Sequence, residues 1–195
     1  MPQIVKTLGP IILLVAILVA AGWWIFWAYF DTYHLAVVKE GVLYRDGVRN
    51  LHEFDLAARR THVKTIVSLV DEREIAQRPF TDEMAYCREH GIDVVRLPVS
   101  LGGWPSGDDI SRFLAVATDP ARQPVMVHCA QGVRRTGMMV AAYQISVLKM
   151  SKQQATEQIL TFGHSERSIG DVRKFIEHYD PQTQQMTADL PASQE

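Results

Sequence analysis

The sequence predicts an α/β domain, a central and mostly parallel sheet flanked by helices, preceded by one N-terminal transmembrane helix. Three observations carry the prediction. Short apolar runs bounded by turn residues alternate with helical segments. A cysteine, Cys129, closes one such run, Pro124-Val125-Met126-Val127, where open α/β sheets place their ligands. Residues 7–30 carry no charged side chain, and about 20 apolar residues suffice for a helix to cross a bilayer core.

The elements follow in chain order. Residues 9–30 are read as the anchor, with Trp23, Trp24, Phe26, Trp27, Tyr29 and Phe30 crowding its end as interfacial aromatics do. A cleaved signal peptide is the competing reading, with small residues at Val19-Ala20-Ala21. Lys6 before the span and Lys39, Arg45 and Arg49 after it leave the orientation open. The globular domain is expected over 31–180, starting with a link from Thr32 to Val38 and a strand at Val42-Leu43-Tyr44. Asn50 with Glu53 forms a capping pattern for a helix to about Thr61. Val63 to Val70 reads as a buried strand. Thr81 caps a helix that Gly91 ends. Ile92 to Leu97 is a further strand, stopped by Pro98. Ser106 and Asp109 open a helix to about Thr118. Val125 to His128 is the central strand, and Met138 to Met150 the helix after its loop. Ser151 with Gln154 caps another helix, with Gly163 near its end, and Asp171 to Tyr179 forms the last. Residues 181–195 are polar and expected to be a flexible tail.

Composition narrows the function. The chain has 195 residues, 47% of them hydrophobic, enough for one ordinary core. Twenty basic against 22 acidic residues give a net charge of −2, which does not point to a nucleic-acid partner. The two cysteines, Cys87 and Cys129, make no disulfide framework. No Cys/His spacing of a metal site appears, so neither metal nor cofactor is expected.

The segment His128-Cys129-Ala130-Gln131-Gly132-Val133-Arg134-Arg135-Thr136-Gly137 carries the chemistry. A strand, a tight loop and a helix N-terminus in succession gather backbone N–H groups and a positive dipole end around an anion. The same field lowers the pKa of a cysteine thiol, and only the thiolate attacks. Arg135 supplies a planar fork for two phosphate oxygens. Gly132 permits a left-handed backbone angle. Thr136 is placed to hydrogen-bond the Cys129 sulfur and ease its departure, and His128 to order the loop base. Cys129, Arg135 and Thr136 are therefore the catalytic candidates, and Ala130, Gln131, Gly132, Val133, Arg134 and Arg135 the phosphate-binding ones.

This segment resembles the signature loop of the cysteine-dependent protein tyrosine phosphatase superfamily, HC-x5-R-[ST], and within it the compact bacterial dual-specificity-like branch. Glu40-Gly41-Val42-Leu43-Tyr44-Arg45-Asp46-Gly47 and Val63-Lys64-Thr65-Ile66-Val67-Ser68-Leu69 resemble the branch's entry segment and first core strand. The resemblance spans about Val37 to Tyr179. It implies a dual-specificity-phosphatase-like fold and hydrolysis of phosphate monoesters through a phosphocysteine intermediate. The implied substrates are phosphotyrosine or phosphoserine/threonine proteins, or a phosphorylated lipid or inositol. A membrane-anchored phosphate-binding pseudophosphatase with little turnover is the alternative. Sulfur transfer of the rhodanese type is a third reading, against which Thr136 argues.

One part of the family pattern is missing. Relatives protonate the leaving oxygen with an aspartate in a mobile loop before the cysteine, or with one just before the loop arginine. Here the first region, Arg96 to Pro105, holds no carboxylate, and the second position is Arg134. Asp108, Asp109 and Asp71 are the candidates, with Glu72 and Glu74 behind them; Asp108 is the choice carried forward. Arg134 is read either as a second cation for polyanionic substrates or as a surface arginine. Trp104 is read either as a lid or as a packed loop residue. Cys87 is read as core packing, with a redox role toward Cys129 as the minority reading.

Overall fold

The computed structural model describes residues 2–30, 32–164 and 166–187, with side chains at 9–24, 32–164 and 169–187. The chain divides into two units, Met1–Thr32 and Tyr33–Glu195.

The first unit is one helix, α1 (Pro2–Phe30). The expected membrane anchor over 9–30 is corrected here, and with it the single-pass membrane location. Among the described residues no helix is long and apolar enough to cross a membrane. The membrane as a partner loses its support with the anchor.

The second unit is built on five strands: β1 (Ala36–Lys39), β2 (Leu43–Gly47), β3 (Thr65–Ser68), β4 (Asp93–Arg96) and β5 (Val125–Cys129). Their spatial order is β1-β2-β5-β3-β4. β1 runs antiparallel to β2, and every other pairing is parallel. The mostly parallel sheet expected from the alternation is thus present, with β5 at its centre. Gly47 lies opposite Cys129, and Ser68 opposite His128. The ends of β2, β3 and β5 therefore arrive together at one edge.

The helices are α2 (Leu51–Thr61), α3 (Phe80–His90), α4 (Gly107–Thr118), α5 (Arg134–Ser146), α6 (Lys152–Glu157) and α7 (Glu166–His178). Side chains alternate across the sheet with period two. Leu43, Val67, Val125 and Val127 pack with residues of α4, α5 and α7. Tyr44, Ile66 and Met126 pack with residues of α2 and α3 on the opposite face. Helix α5 is buried from Arg135 to Ile145, so it forms the core of the first face rather than its cover.

The caps read from sequence recur with small shifts. Asn50 accepts from the Glu53 N–H, while the Glu53 carboxylate turns to Arg49 instead of closing the box. Ser106 with Asp109, and Ser151 with Gln154, form complete capping boxes. Helix α3 starts at Phe80 behind Pro79, ahead of Thr81, and Gly91 ends it with φ 66°. Helix α6 stops at Glu157, well short of Gly163. The link before Val42 contains an unforeseen edge strand, β1, with alternating half-buried and exposed residues. The expected tail begins instead with a hairpin, β6 (Tyr179–Asp180) pairing with β7 (Gln185–Met186). Its remainder, residues 188–195, lies outside the described residues.

Candidate active site

Cys129 is the last residue of β5 and is 2% exposed. The loop that follows it is fixed from outside through three successive carbonyls. Val48 N–H donates to Ala130 O at 3.0 Å, His34 Nδ1 to Gln131 O at 2.7 Å, and Arg45 Nη2 to Gly132 O at 2.6 Å. A trans peptide points its N–H opposite to its C=O. Drawing these carbonyls outward therefore turns the amides of Gln131, Gly132 and Val133 the other way, as an anion-binding nest requires.

Gly132 has φ 68°, and a Cβ there would lie 2.3 Å from the Asp46 carbonyl oxygen. A Cβ on Gly47 would lie 2.7 Å from the Gln131 backbone. The end of β2 and the apex of the loop thus interlock at a distance only glycine allows.

Arg135 and Thr136 sit in the first turn of α5, both buried. Arg135 grips Glu74 with two bonds, Nη1 to Oε2 at 2.6 Å and Nη2 to Oε1 at 3.2 Å. Nη1 also reaches the carbonyls of Leu69 and Val99, both at 3.3 Å. Nε and the second Nη2 proton remain as a fork for an oxyanion. Burial pushes the Cys129 thiol up, but the Arg135 charge, the Thr136 hydroxyl and amide and the Gly132 amide outweigh it and hold it below its usual value. Thr136 Oγ1 has no oxygen or nitrogen partner among the described residues.

Behind the strand lies a buried acid–base group. His128 Nε2 is 2.8 Å from Glu83 Oε1 of α3, and neither side chain is exposed. Burial works against a charge on His128, but Glu83 prevails and raises its pKa. Burial pushes the neighbouring Asp46 carboxyl well above the usual range.

The cleft in front of the sulfur is about 220 Å³ and is lined by Glu74, Leu101, Gly102, Cys129, Ala130, Gln131, Arg134 and Arg135. Most of the residues predicted from the loop motif meet here, but Arg134 is turned to another task. Its Nε binds Asp171 Oδ2 at 2.6 Å, and Nη1 and Nη2 bind the carbonyls of Gly103 and Gly102 at 2.8 and 2.9 Å. Its guanidinium also lies over the Trp104 ring at 5.5 Å. Arg134 lines the cleft, and its guanidinium nitrogens hold the 100–105 loop to Asp171 of α7. Trp104 packs against the core beneath that loop and does not line the cleft.

The acid candidates are dispersed. Asp108 is 79% exposed, beside Arg112 at 3.9 Å, and does not line the cleft. Asp109 is held by the Ser106 amide and hydroxyl. Asp71 accepts from the N–H groups of Arg73 and Leu101, both at 2.9 Å, and these bonds lower its pKa. Glu72 pairs with Arg96 at 3.0 Å. Glu74 is the one carboxylate lining the cleft among the described residues, and both of its oxygens face Arg135. Cys87 is buried on α3, where burial pushes its thiol up to about 12. No cluster of metal-ligating side chains occurs among the described residues.

Sequence reasoning missed three supports of the loop: Arg45, His34 and Glu83. The signal for Arg45 was present, because a charged pair, Arg45-Asp46, follows an apolar run with no turn residue between.

Comparison with known proteins agrees with this geometry. The dual-specificity protein phosphatase TpbA of Pseudomonas aeruginosa (strain UCBPP-PA14) is 28% identical over 139 residues, 71% of this chain and 59% of TpbA. A probable chloroplastic NAD kinase 2 of Oryza sativa is 34% identical over 61 residues, 31% of this chain and 6% of that protein. The chain thus spans less than two thirds of these relatives. Among solved structures, the catalytic domain of the PP-IP phosphatase SIW14 from S. cerevisiae shares the fold, with TM-score 0.65 and 21% identity over 77% of this chain and 87% of that one. P. aeruginosa TpbA in complex with phosphotyrosine matches with TM-score 0.63 and 24% identity over 78% and 88%. The family described as "DSP-PTPase phosphatase fused to NAD+ kinase" matches residues 56–177, and with a cysteine-based loop at its centre the chain belongs to that family of tyrosine and dual-specificity phosphatases.

Proposed function

We propose that this phosphatase hydrolyses phosphate monoesters through a phosphocysteine formed on Cys129. The observation that carries the reading is the loop itself: a thiol with lowered pKa, ringed by inward-turned amides and by the free fork of Arg135. The thiolate attacks phosphorus, the ester P–O bond breaks, and the leaving oxygen departs as an oxyanion that takes its proton from water. Water then attacks the same phosphorus, the P–S bond breaks, and the thiolate returns with the Thr136 hydroxyl beside it. Arg135 and the amides of Ala130 to Arg135 balance the charge on the equatorial oxygens in both steps.

The substrate follows from the rest of the cleft. With Arg134 committed to the 100–105 loop, Arg135 is the cation left to meet phosphate among the cleft residues. With Glu74 tied to Arg135, no described cleft carboxylate is free to protonate a leaving group. Both features favour a single phosphate on a good leaving group, of which phosphotyrosine in a protein is the leading case. Relatives point to a wider range: TpbA was solved with phosphotyrosine, SIW14 is described as a PP-IP phosphatase, and PTPMT1 was solved with PI(5)P. Phosphoserine/threonine proteins and phosphorylated lipids or inositols are the comparison substrates.

The test is hydrolysis of p-nitrophenyl phosphate, a phosphotyrosine peptide, a phosphoserine peptide and PI(5)P by wild type and Cys129→Ser. We expect turnover in the order aryl before alkyl, and none in Cys129→Ser, which still binds tungstate. Equal activity in the variant would sink the mechanism. The missing free acid favours a second reading, a phosphate-binding pseudophosphatase. That reading holds if wild type binds tungstate but releases no phosphate from any of the four.

A further inference from the structure

Arg45 does not line the cleft, yet it is buried directly behind the catalytic loop. It comes from β2, is 2% exposed, and reaches across the sheet edge to Gly132 O, the middle of the catalytic loop. Among the described residues no carboxylate stands within ion-pair distance of it, and its Nε has no hydrogen-bond partner. Its guanidinium carbon lies over the Phe162 ring, 5.3 Å from the centroid. A buried charge without a counter-ion is costly, and such charges are paired unless something else compensates them. We infer that Arg45 is a positioning residue whose counter-ion is the anion held by the loop, first the Cys129 thiolate and then the bound phosphoryl group.

Two observations support this beyond the hydrogen bond. Burial lowers the Arg45 pKa to about 10, so the group stays a cation at neutral pH, and the Cys129 charge acts in the opposite direction to raise it. The Gly132–Asp46 interlock holds the loop apex against the strand that carries Arg45, so the cation and the loop move as one piece. Arg135 binds the oxyanion from the front, while Arg45 acts from behind, through the Gly132 peptide and through space. The other charged groups around the sulfur are already compensated: Arg135 by Glu74, and His128 by Glu83 with Asp46 beside it.

The inference rests on the loop holding an anion, as the proposed function requires, but its test needs no turnover. The pH midpoint for alkylation of Cys129 by iodoacetamide and the affinity for tungstate are measured on wild type, Arg45→Gln and Arg45→Lys. Cys87 alkylation is separated by peptide mapping. Arg45→Gln keeps a donor for Gly132 O and loses the charge. It is expected to raise the midpoint by about one pH unit and to weaken tungstate about tenfold, one unit being a tenfold change. Arg45→Lys keeps the charge and is expected to stay close to wild type in both. A folded Arg45→Gln with unchanged midpoint and tungstate affinity overturns the inference. Where Arg45→Gln fails to fold, Arg45→Lys decides. A wild-type midpoint supports the charge role, and a midpoint raised by a full unit overturns it. Wild type that binds tungstate yet hydrolyses no phosphate ester would instead count against the proposed function and leave this result standing.

Discussion

The loops Cys129–Arg135 and Ser100–Pro105 both border the cleft, and they are held in different ways. The first is part of the sheet's edge. It is pinned by the Val48 backbone N–H just past β2, by a glycine contact no side chain would fit, and by buried Arg45 and Arg135. The second hangs on side chains. Asp71 holds the Leu101 amide, and Arg134, anchored to Asp171, holds the carbonyls of Gly102 and Gly103. Leu101 itself is 60% exposed. The phosphate-holding side is preorganised, as electrostatic stabilisation of a transition state demands. The leaving-group side is fastened by ionic ties that solvent and pH can reach, and among the described residues it presents no free acid.

Breaking the rigid wall is expected to give the largest effect. Gly132→Ala puts a Cβ onto the Asp46 carbonyl at a backbone angle that disfavours it. Strain of this kind costs about 1–3 kcal/mol, read as a fall in thermal midpoint. Phosphatase activity should drop with it, because the amides turn away from phosphate. Wild-type stability in this variant would show that the interlock is softer than described.

Cutting the ionic fastening is expected to do less. Arg134→Met and Asp171→Asn each remove a partly exposed pair worth about 1 kcal/mol or less. A double-mutant cycle should show the two losses overlapping rather than adding. Hydrogen exchange should rise over 100–105 and stay unchanged over 129–135. Equal exchange in both loops would erase the contrast between the walls.

The elements of the sheet domain could be read from sequence because each carries its own local signal. Ser106 and Ser151 open boxes, Gly91 closes a helix, and the run before Cys129 is apolar without interruption. The loop motif placed Cys129, Arg135 and Thr136 at one end of β5 for the same reason. What escaped were long-range partners. Nothing local says that Arg45 reaches Gly132, that Glu83 meets His128, or that Arg134 turns to Asp171, 37 positions away. The anchor was read from an uncharged run alone, and among the described residues no helix is long and apolar enough to cross a membrane.

pH offers a finer probe of the weaker wall. The Asp71 carboxylate is held below its usual range by the Arg73 and Leu101 amides. A depressed folded-state pKa means that the tie is fully present above the ordinary carboxylate value and is lost as pH falls through the depressed one. The 100–105 loop should therefore stay fastened from neutral pH to well below pH 5. Asp71→Asn should loosen it at all pH values, seen as faster exchange at Leu101. Loosening of the wild-type loop near pH 6 would mean that another group controls it.

The smallest effect is expected at Asp108. It stands on an exposed site beside Arg112 and does not line the cleft. Asp108→Asn should leave kcat for both p-nitrophenyl phosphate and a phosphoserine peptide within about twofold, a change of about 0.4 kcal/mol in barrier. A large loss confined to the phosphoserine peptide would restore Asp108 as the acid.

The central claim is that the rigid wall carries a covalent step. Rapid quenching of wild type during turnover of an aryl phosphate, followed by mass analysis of the peptide containing Cys129, tests it directly. The account predicts one phosphoryl group on Cys129, present during turnover and gone when substrate is exhausted. Full turnover with Cys129 never phosphorylated would contradict it.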